Sequence, residues 1–369
     1  MTPYKIIISG GGTGGHIFPA ISIADAFKRR YPEAEILFTG ADNRMEMTRV
    51  PEAGYRIAGL PVSGFDRRHV LKNIAVLLRF LKSLRMAKRL IRSFAPHLVV
   101  GVGGYASAPT LRAAASLGIP TLIQEQNSYA GIANRFLSRR ADTICVAYDG
   151  MERFFPAGKI VLTGNPVRRA LEERCEDKAA ALEHFRLQPD RKTVLVVGGS
   201  LGARTINRGM QNGLPQLLDA GIQVIWQTGK GDHAAIRQQL ERMDTKNRVR
   251  CLDFITRMDY AYAAADLVVS RAGAGAVSEL SLLKKAAILI PSPHVAEDHQ
   301  TKNAMAVASR GAAVAMPDRD AETLLPGAIL SLLRDAARLE SLSRAIGLLA
   351  RQHSAERIVD EIEKLINRN

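Results

Sequence analysis

The chain is poor in the residues and segments that mark several classes of protein. It has three cysteines in 369 residues, Cys145, Cys175 and Cys251, and their spacing does not match a metal site. No run of about 18 apolar residues occurs, so we expect no transmembrane helix, and the apolar run near the N-terminus is too short for a signal peptide. These absences favour a reducing, cytoplasmic location. Aromatic residues make up only 5%, which argues against a nucleic-acid-binding module.

Acidic residues are scarce relative to basic ones. The chain has 51 Lys+Arg against 36 Asp+Glu, a formal net charge of +15. Residues 1–166 hold 22 basic and 11 acidic residues, so the first half carries +11 of this excess. Such asymmetry indicates an anionic partner, namely nucleic acid, a membrane surface or a phosphorylated substrate, although solubility alone would also account for a modest excess.

Short apolar runs alternate with helical patterns along the whole chain. Buried runs of this kind separated by helices predict parallel sheets covered on both faces, and right-handed crossovers make each sheet doubly wound. The pattern is interrupted at Gly164–Pro166 and then starts again. We therefore predict an α/β protein with two Rossmann-like domains facing a cleft, residues 1–166 and 167–350. A C-terminal helix at about 351–369 is expected to pack back on the first domain.

A glycine-rich loop, Gly10–Gly15, follows the first apolar run and ends at His16. Glycine lets a ligand approach the backbone, and free N–H groups at a helix N-terminus bind anions. The loop also matches G-x-G-x-x-G, but the acidic residue expected after the second strand comes late, at Asp42, which disfavours a nicotinamide cofactor. No P-loop motif occurs. His16 is placed either to exchange a proton near neutral pH or to shape the loop through a hydrogen bond.

The second half carries three further loops of this kind after apolar runs, at 198–204, 271–279 and 293–304. Several loops at the carboxyl ends of one sheet are typical of a nucleotide pocket. Glu279 could accept hydrogen bonds from a ribose diol, or it could simply stabilise the first turn of its helix.

Seven motifs stand in order along nearly the whole chain: GGGTGGHIFPA, GVGGYASAP, QEQNSYAGIANRFL, TGNPVR, GGSLGARTIN, RAGAGAVSEL and AEDHQTKNA. Together they closely resemble the MurG family, the UDP-GlcNAc:lipid I N-acetylglucosaminyltransferases of bacterial peptidoglycan synthesis. The resemblance implies a GT-B fold, an inverting mechanism with neither a metal nor another cofactor, and peripheral attachment to the cytoplasmic face of the inner membrane. The chain departs from the family at Gly275-Ala276, where many relatives have a larger residue followed by threonine, and at Gln124, where histidine is frequent.

The resemblance also implies roles for individual residues. Independently of the resemblance, His16 is our first candidate for the catalytic base, because of its place at the exit of the glycine loop. The residues implied to bind UDP-GlcNAc or to line the acceptor side are Thr13, Gly14, Gly15, Asn127, Arg168, Ser200, Ile255, Ala274, Gly275, Ala276, Val277, Ser278, Glu279 and Gln300. Among them, Ile255 would contact uracil through its backbone and Gln300 would hold GlcNAc hydroxyls.

The implied reaction moves GlcNAc from UDP-GlcNAc to the C4 hydroxyl of MurNAc in lipid I, giving lipid II. The expected partners are the donor, lipid I, the anionic inner leaflet and other cell-wall synthesis proteins, with no nucleic acid. Two enzymes of the same fold class, a UDP-GlcNAc 2-epimerase and a lipid galactosyltransferase, are alternatives that the GGTGGH and QEQN loops disfavour.

A basic stretch, residues 67–92, contains nine Lys and Arg and no acidic residue. Ile74, Leu78, Leu81 and Leu84 recur at helical spacing within it, and a neighbouring stripe of Leu77, Phe80, Ala87 and Ile91 could pack on the sheet. An apolar stripe flanked by cations is typical of a helix lying in a membrane interface. The alternative is that the whole apolar surface belongs to the core.

Overall fold

The computed structural model describes residues 3–64, 72–172, 177–199, 202–245 and 247–368. The chain divides into two compact units, Met1–Arg168 with Arg351–Asn369, and Arg169–Ala350. Ser200, Arg67, Arg68 and Cys175, which the sequence analysis singled out, lie outside the described residues.

The first unit is built on a parallel sheet of seven strands with the order β3-β2-β1-β4-β5-β6-β7. Its strands are β1 (Lys5–Ser9), β2 (Glu35–Ala41), β3 (Arg56–Leu60), β4 (Leu98–Gly101), β5 (Thr121–Glu125), β6 (Thr143–Val146) and β7 (Ile160–Leu162). Its helices are α1 (Gly14–Arg30), α2 (Glu46–Glu52), α3 (Lys72–Phe94), α4 (Ser107–Ser116), α5 (Ile132–Ser138) and, from the end of the chain, α15 (Ser354–Ile366).

Strand β1 shows why its run of isoleucines forms the centre of this sheet. Successive side chains of a strand point to opposite faces, so a strand buried on both faces must be apolar throughout. Ile6 and Ile8 belong to the core cluster that includes α1 and α15, whereas Ile7 belongs to the cluster on the other face, with α3 and α4. All three side chains are fully buried.

The second unit has a parallel sheet of six strands with the order β10-β9-β8-β11-β12-β13. Its strands are β8 (Thr193–Val197), β9 (Gln223–Gln227), β10 (Val249–Leu252), β11 (Leu267–Ser270), β12 (Ala287–Leu289) and β13 (Val314–Ala315). Its helices are α6 (Arg169–Glu172), α7 (Lys178–His184), α8 (Arg204–Asp219), α9 (Lys230–Glu241), α10 (Met258–Ala264), α11 (Ala274–Leu282), α12 (His299–Ala308), α13 (Asp318–Arg334) and α14 (Ala336–Gly347).

The prediction of two Rossmann-like doubly wound sheets is confirmed, because strand order reverses beside the first strand in each. The sequence pattern missed β3, an edge strand of mostly half-buried residues. Helix α1 begins at Gly14, within the glycine-rich loop, and has Pro19 inside it. No helix among the described residues is long and apolar enough to cross a membrane.

Candidate active site

The glycine loop after β1 is shaped by packing as well as by access for a ligand. Glu46, fully buried at the start of α2, accepts hydrogen bonds from the backbone N–H groups of Gly12 at 3.0 Å and Ala41 at 2.9 Å. A Cβ on Gly11 would lie 2.0 Å from Glu46 Oε1, and one on Gly10 would lie 2.2 Å from Val102 Cγ2. The first two glycines are therefore required by the protein itself, a role that the sequence analysis did not foresee.

The loop exit differs, because there the backbone faces outward. Thr13 is the N-cap of α1 but makes no side-chain capping bond, and the first turn holds no acidic residue. Thr13 and Gly15 are exposed. By contrast, α7 is capped by Asp177, which accepts from the N–H groups of Ala179 and Ala180. The N-terminus of α1 therefore has neither a side-chain cap nor an acidic residue in its first turn, an arrangement that favours an anion.

His16 lies half-buried in the first turn of α1 and bonds to a residue distant in sequence. Its Nδ1 is 2.9 Å from Oε1 of Gln126, a buried side chain directly after β5. The QEQN motif supplied only Asn127 to the sequence-based site, so Gln126 is a residue that sequence reasoning missed.

Asn127 is held by the buried carboxylate of Glu125. Its N–H and its Nδ2 donate to Glu125 Oε1 at 3.0 and 3.2 Å, while Gly131 N–H and Asn134 Nδ2 donate to Oε2 at 3.0 and 2.9 Å. Glu125 therefore fixes the loop between β5 and α5 and holds Asn127 next to Gln126, the hydrogen-bond partner of His16.

In the second unit, α11 begins directly after the loop that follows β11. No acidic residue lies in its first turn, and its N-cap, Gly273, makes no side-chain bond. A Cβ on Gly273 or Gly275 would meet open space, so the backbone here is accessible. Ala274 and Val277 are buried, whereas Gly275, Ala276 and Ser278 are half-buried. Contacts from this segment would therefore come mainly from its backbone N–H groups and from Ser278.

Glu279 does not stabilise the first turn of α11, and that alternative from the sequence is wrong. Its half-buried carboxylate accepts a hydrogen bond from the hydroxyl of the buried Tyr262 at 2.9 Å, which fixes its position. The fixed acid suits recognition of hydroxyl groups, as expected for a ribose diol.

Gln300 follows a loop with unusual backbone geometry. Glu297 and Asp298 both have positive φ, 56° and 53°, although neither is glycine. Gln300 Oε1 accepts from the N–H of Ser292 at 2.8 Å, which ties α12 to the end of β12. Backbone strain of this kind clusters at functional sites, where the surrounding structure maintains it.

Arg271 joins the loops of this unit and was not assigned a role from sequence. It pairs with Asp318 on α13, and its Nη1 donates to the carbonyls of Ile290 and Pro291 at 3.2 Å. Nη2 donates to Thr205 of α8 at 3.3 Å. One guanidinium thus connects the ends of β11 and β12 with the starts of α8 and α13.

Two other predicted residues occupy different surroundings. The side chain of Ile255 is buried in the loop after β10, at 3% exposure, which leaves only its backbone for a ligand. Arg168 is exposed at the last position of the first unit before the division.

Helix α3 presents the predicted apolar stripe in modified form. Ile74, Leu78 and Leu81 are exposed by 62%, 62% and 40%, and so is Leu77, by 53%. Leu77 was assigned to the core stripe, which is wrong. Leu84, assigned to the membrane stripe, is half-buried against the core cluster. The exposed face, which we call the α3 apolar face, is therefore Ile74, Leu77, Leu78 and Leu81, and its exposed cations include Arg79, Lys82 and Arg85.

The chain matches two family models and full-length relatives. Residues 6–146 match the glycosyltransferase family 28 N-terminal domain and residues 193–362 the family 28 C-terminal domain. It is 60% identical over 368 residues to the UDP-N-acetylglucosamine--N-acetylmuramyl-(pentapeptide) pyrophosphoryl-undecaprenol N-acetylglucosamine transferase of Parabacteroides distasonis, covering 100% of both chains. The transferase of the same name from Porphyromonas gingivalis is 57% identical, with 98% of this chain and 96% of that protein covered.

Among solved structures, MurG of Acinetobacter baumannii matches with a TM-score of 0.80 and 27% identity, over 98% of this chain and 100% of that one. The resemblance seen in the seven motifs is confirmed, and the fold is GT-B. The chain belongs to glycosyltransferase family 28 and, within it, to the MurG family of N-acetylglucosamine transferases.

Proposed function

We propose that this protein transfers GlcNAc from UDP-GlcNAc to the C4 hydroxyl of MurNAc in lipid I, with inversion, and so makes lipid II. The observation that carries this proposal is the 60% identity over both full lengths to a transferase named for this donor and acceptor. The uncapped starts of α1 and α11, with no acid in their first turns, are consistent with substrates that carry diphosphates.

The donor is assigned to the second unit. The backbone N–H groups at the start of α11 face the diphosphate, and Glu279, fixed by Tyr262, accepts from the ribose hydroxyls. Gln300 reaches the GlcNAc ring from α12. The bond from the anomeric carbon to the diphosphate oxygen breaks with its electron pair going to UDP, and the helix N-termini stabilise that charge.

The acceptor is assigned to the loop at the start of α1. His16 takes the proton from the C4 hydroxyl as its oxygen forms the bond to the anomeric carbon, so the α-linked donor gives a β-1,4 product. His16→Ala is therefore expected to lower kcat by roughly 100- to 10,000-fold. Near-normal turnover of this variant would leave His16 as a residue that only shapes the loop.

We further propose that the enzyme attaches peripherally to the anionic cytoplasmic leaflet through the α3 apolar face. Four exposed apolar side chains flanked by exposed cations and no acid in the first turn suit a helix lying in the interface. A lipid-linked acceptor requires the catalytic loop to work close to that surface.

The activity is tested by incubating the protein with UDP-GlcNAc and a lipid I analogue and measuring UDP release together with the disaccharide product. We expect UDP release that depends on the acceptor. Formation of UDP-N-acetylmannosamine, or of N-acetylmannosamine and UDP by hydrolysis, without an acceptor would indicate a 2-epimerase. Transfer that occurs only when UDP-galactose replaces UDP-GlcNAc would indicate a galactosyltransferase.

A further inference from the structure

Three buried amide side chains connect His16 to the interior of the first unit. Gln126 Nε2 donates to the carbonyl of Val102 at 2.7 Å and is also bonded to Oε1 of Gln124. Gln124 Nε2 donates to Asn165 Oδ1 at 3.0 Å, and Asn165 Nδ2 donates to the backbone carbonyl of Gln126 at 2.9 Å. The exposures are 1% for Gln126, 0% for Gln124 and 4% for Asn165.

Two backbone carbonyls, which can only accept hydrogen bonds, determine the donor and acceptor of each hydrogen bond in this network of side chains. The carbonyl of Gln126 requires the NH₂ of Asn165, so Asn165 Oδ1 faces Gln124 and accepts. The carbonyl of Val102 requires the NH₂ of Gln126, so Gln126 Oε1 must face His16. Turning the Gln126 amide over would place its oxygen against the Val102 carbonyl and leave buried polar atoms unpaired, which is costly.

Because Gln126 Oε1 can only accept a hydrogen bond, the Nδ1 of His16 must be the donor. We propose that Gln126 is a positioning residue that holds neutral His16 in the Nδ1–H tautomer, so that the lone pair is on Nε2. Gln124 and Asn165 act through Gln126 by fixing its orientation. The chemical task of Nε2 rests on the proposed function: Nε2 would accept the proton of the MurNAc hydroxyl.

The ring is also held by the loop after β4. Gly103 has a φ of +96°, and a Cβ there would lie 2.9 Å from His16 Cε1 and 3.0 Å from Nδ1. Gly104 packs on the same ring, since its Cβ would lie 3.4 Å from Cδ2. A Cβ on Gly104 would also lie 2.4 Å from the carbonyl oxygen of Gly11. The GVGGY motif therefore has glycine at residue 103 because a side chain there would displace the His16 ring from Gln126, and glycine at residue 104 because the glycine loop after β1 packs against its backbone.

The buried carboxylates of Glu125, at the end of β5, and Glu46, at the start of α2, are engaged with other partners. Glu125 is bound by Asn127, Gly131 and Asn134, and Glu46 by Gly12 and Ala41. The Tyr105 hydroxyl lies near Gly12, since a Cβ there would be 3.7 Å from it. A neutral amide therefore orients the imidazole without placing a negative charge against it.

The tautomer can be measured directly in the full-length protein labelled with ¹⁵N-histidine. Long-range ¹H–¹⁵N spectra recorded at about pH 9, where imidazole is neutral, distinguish the two tautomers, and His16→Ala assigns the signal. We expect the Nδ1–H form. Finding Nε2–H in the wild-type protein would overturn the proposal, whatever the enzyme's activity.

Variants separate positioning from general structural damage. Gln126→Leu should shift His16 away from the pure Nδ1–H form and lower kcat about 10- to 100-fold, with KM for UDP-GlcNAc little changed, because the second unit is untouched. An unchanged kcat, or an unchanged tautomer, would contradict the assignment. UDP binding and the unfolding midpoint serve as controls for folding.

Gln124 provides a conservative pair in case Gln126→Leu does not fold. A neutral histidine offers one donor and one acceptor, as Gln124 uses here, so Gln124→His should keep kcat within about threefold, whereas Gln124→Leu should lower it further. Equal losses in the two variants would contradict the relay. If the wild-type protein has the Nδ1–H tautomer but does not transfer GlcNAc to lipid I, the proposed function is wrong, whereas the proposal that Gln126 positions His16 still holds.

Discussion

At the scale of single residues, candidate site residues in each unit are held in place by neighbouring side chains. Glu279 is held by Tyr262, Asn127 by Glu125, and His16 by Gln126. Such preorganisation lowers the ordering cost of binding and of reaction.

Glu279→Ala tests donor recognition. Removing the acid that we propose accepts the ribose hydroxyls should raise KM for UDP-GlcNAc by about 5- to 100-fold, corresponding to about 1–3 kcal/mol, with a smaller change in kcat. Tyr262→Phe, which removes only the hydroxyl that holds Glu279, should raise KM less. Gln300→Ala should behave like Glu279→Ala. Steady-state kinetics against both substrates measures this, and a loss confined to kcat would contradict a binding role.

Lys285 gives a prediction of pH dependence away from the site. Burial lowers its pKa to about 8, and Lys178 acts in the same direction. Between about pH 8 and pH 10 the unfolded chain binds more protons at this lysine than the folded chain, so its contribution to the free energy of unfolding rises with pH, by up to about 3 kcal/mol.

The free energy of unfolding of Lys285→Met should therefore exceed that of the wild type most near pH 7.5, and this difference should be smaller at about pH 9.5. Urea unfolding of both proteins at the two pH values measures the difference. A difference that does not change with pH would mean that Lys285 titrates normally in the folded state.

At the scale of elements, α3 has two faces with different tasks. Ala87 and Ile91 are buried in the core, while the α3 apolar face is exposed. Exposed apolar side chains at helical spacing among cations are typical of a helix that lies on a lipid surface, which is the partner we propose for this face.

Changing Leu77, Leu78 and Leu81 together to Ser should release the protein from vesicles containing anionic lipid, while its fold and UDP binding persist. The matched control is Leu324→Ser with Leu348→Ser, exposed apolar side chains of the second unit, which should leave vesicle binding unchanged. Co-sedimentation measures both, and added salt should weaken wild-type attachment. If the α3 triple variant still sediments with vesicles, attachment occurs elsewhere.

At the scale of the whole molecule, the C-terminal helix α15 packs into the core of the first unit, which is otherwise formed by the N-terminal half of the chain. Ile358, Val359 and Ile362 of α15 are fully buried in the cluster that contains α1. Arg29 pairs with Glu356 at 2.9 Å and Arg30 with Asp360 at 2.6 Å, at the edge of that packing.

Deleting residues 351–369 should therefore destabilise the first unit rather than the second. Each buried aliphatic side chain contributes about 1.5–3 kcal/mol, and the sum over α15 is comparable to the total stability of a domain, about 5–15 kcal/mol. Hydrogen exchange should show lost protection in β1, β2 and β4 with β8 and β11 unaffected. Equal loss in both units would contradict this assignment.

Transfer should continue at a little-changed rate in EDTA, because helix N-termini and backbone N–H groups can stabilise the departing diphosphate. The tripeptide Asp318-Arg319-Asp320 resembles a metal-binding Asp-x-Asp motif, but the first carboxylate is paired with Arg271. Loss of activity on chelation that magnesium or manganese restores would overturn this prediction.

The sequence by itself determined the family, the two sheets and all but the least regular of their strands. Runs such as residues 5–9 are apolar at every position because both faces of a parallel sheet are covered, and this pattern is local and readable. The glycine loops and the seven ordered motifs were equally local. The edge strand β3 was not predicted, because its residues are mostly half-buried and do not form a continuous apolar run.

Only the tertiary structure decided which side chains meet. His16 and Gln126 are 110 residues apart, and no periodicity connects them. Leu77 is exposed and Leu84 is half-buried against the core, the reverse of the burial expected for them, because a helix with apolar residues on a wide surface does not specify which part the sheet will cover. The physical reason is the same in each case: periodicity encodes the surface that an element offers, whereas burial and hydrogen-bond direction depend on what packs against it.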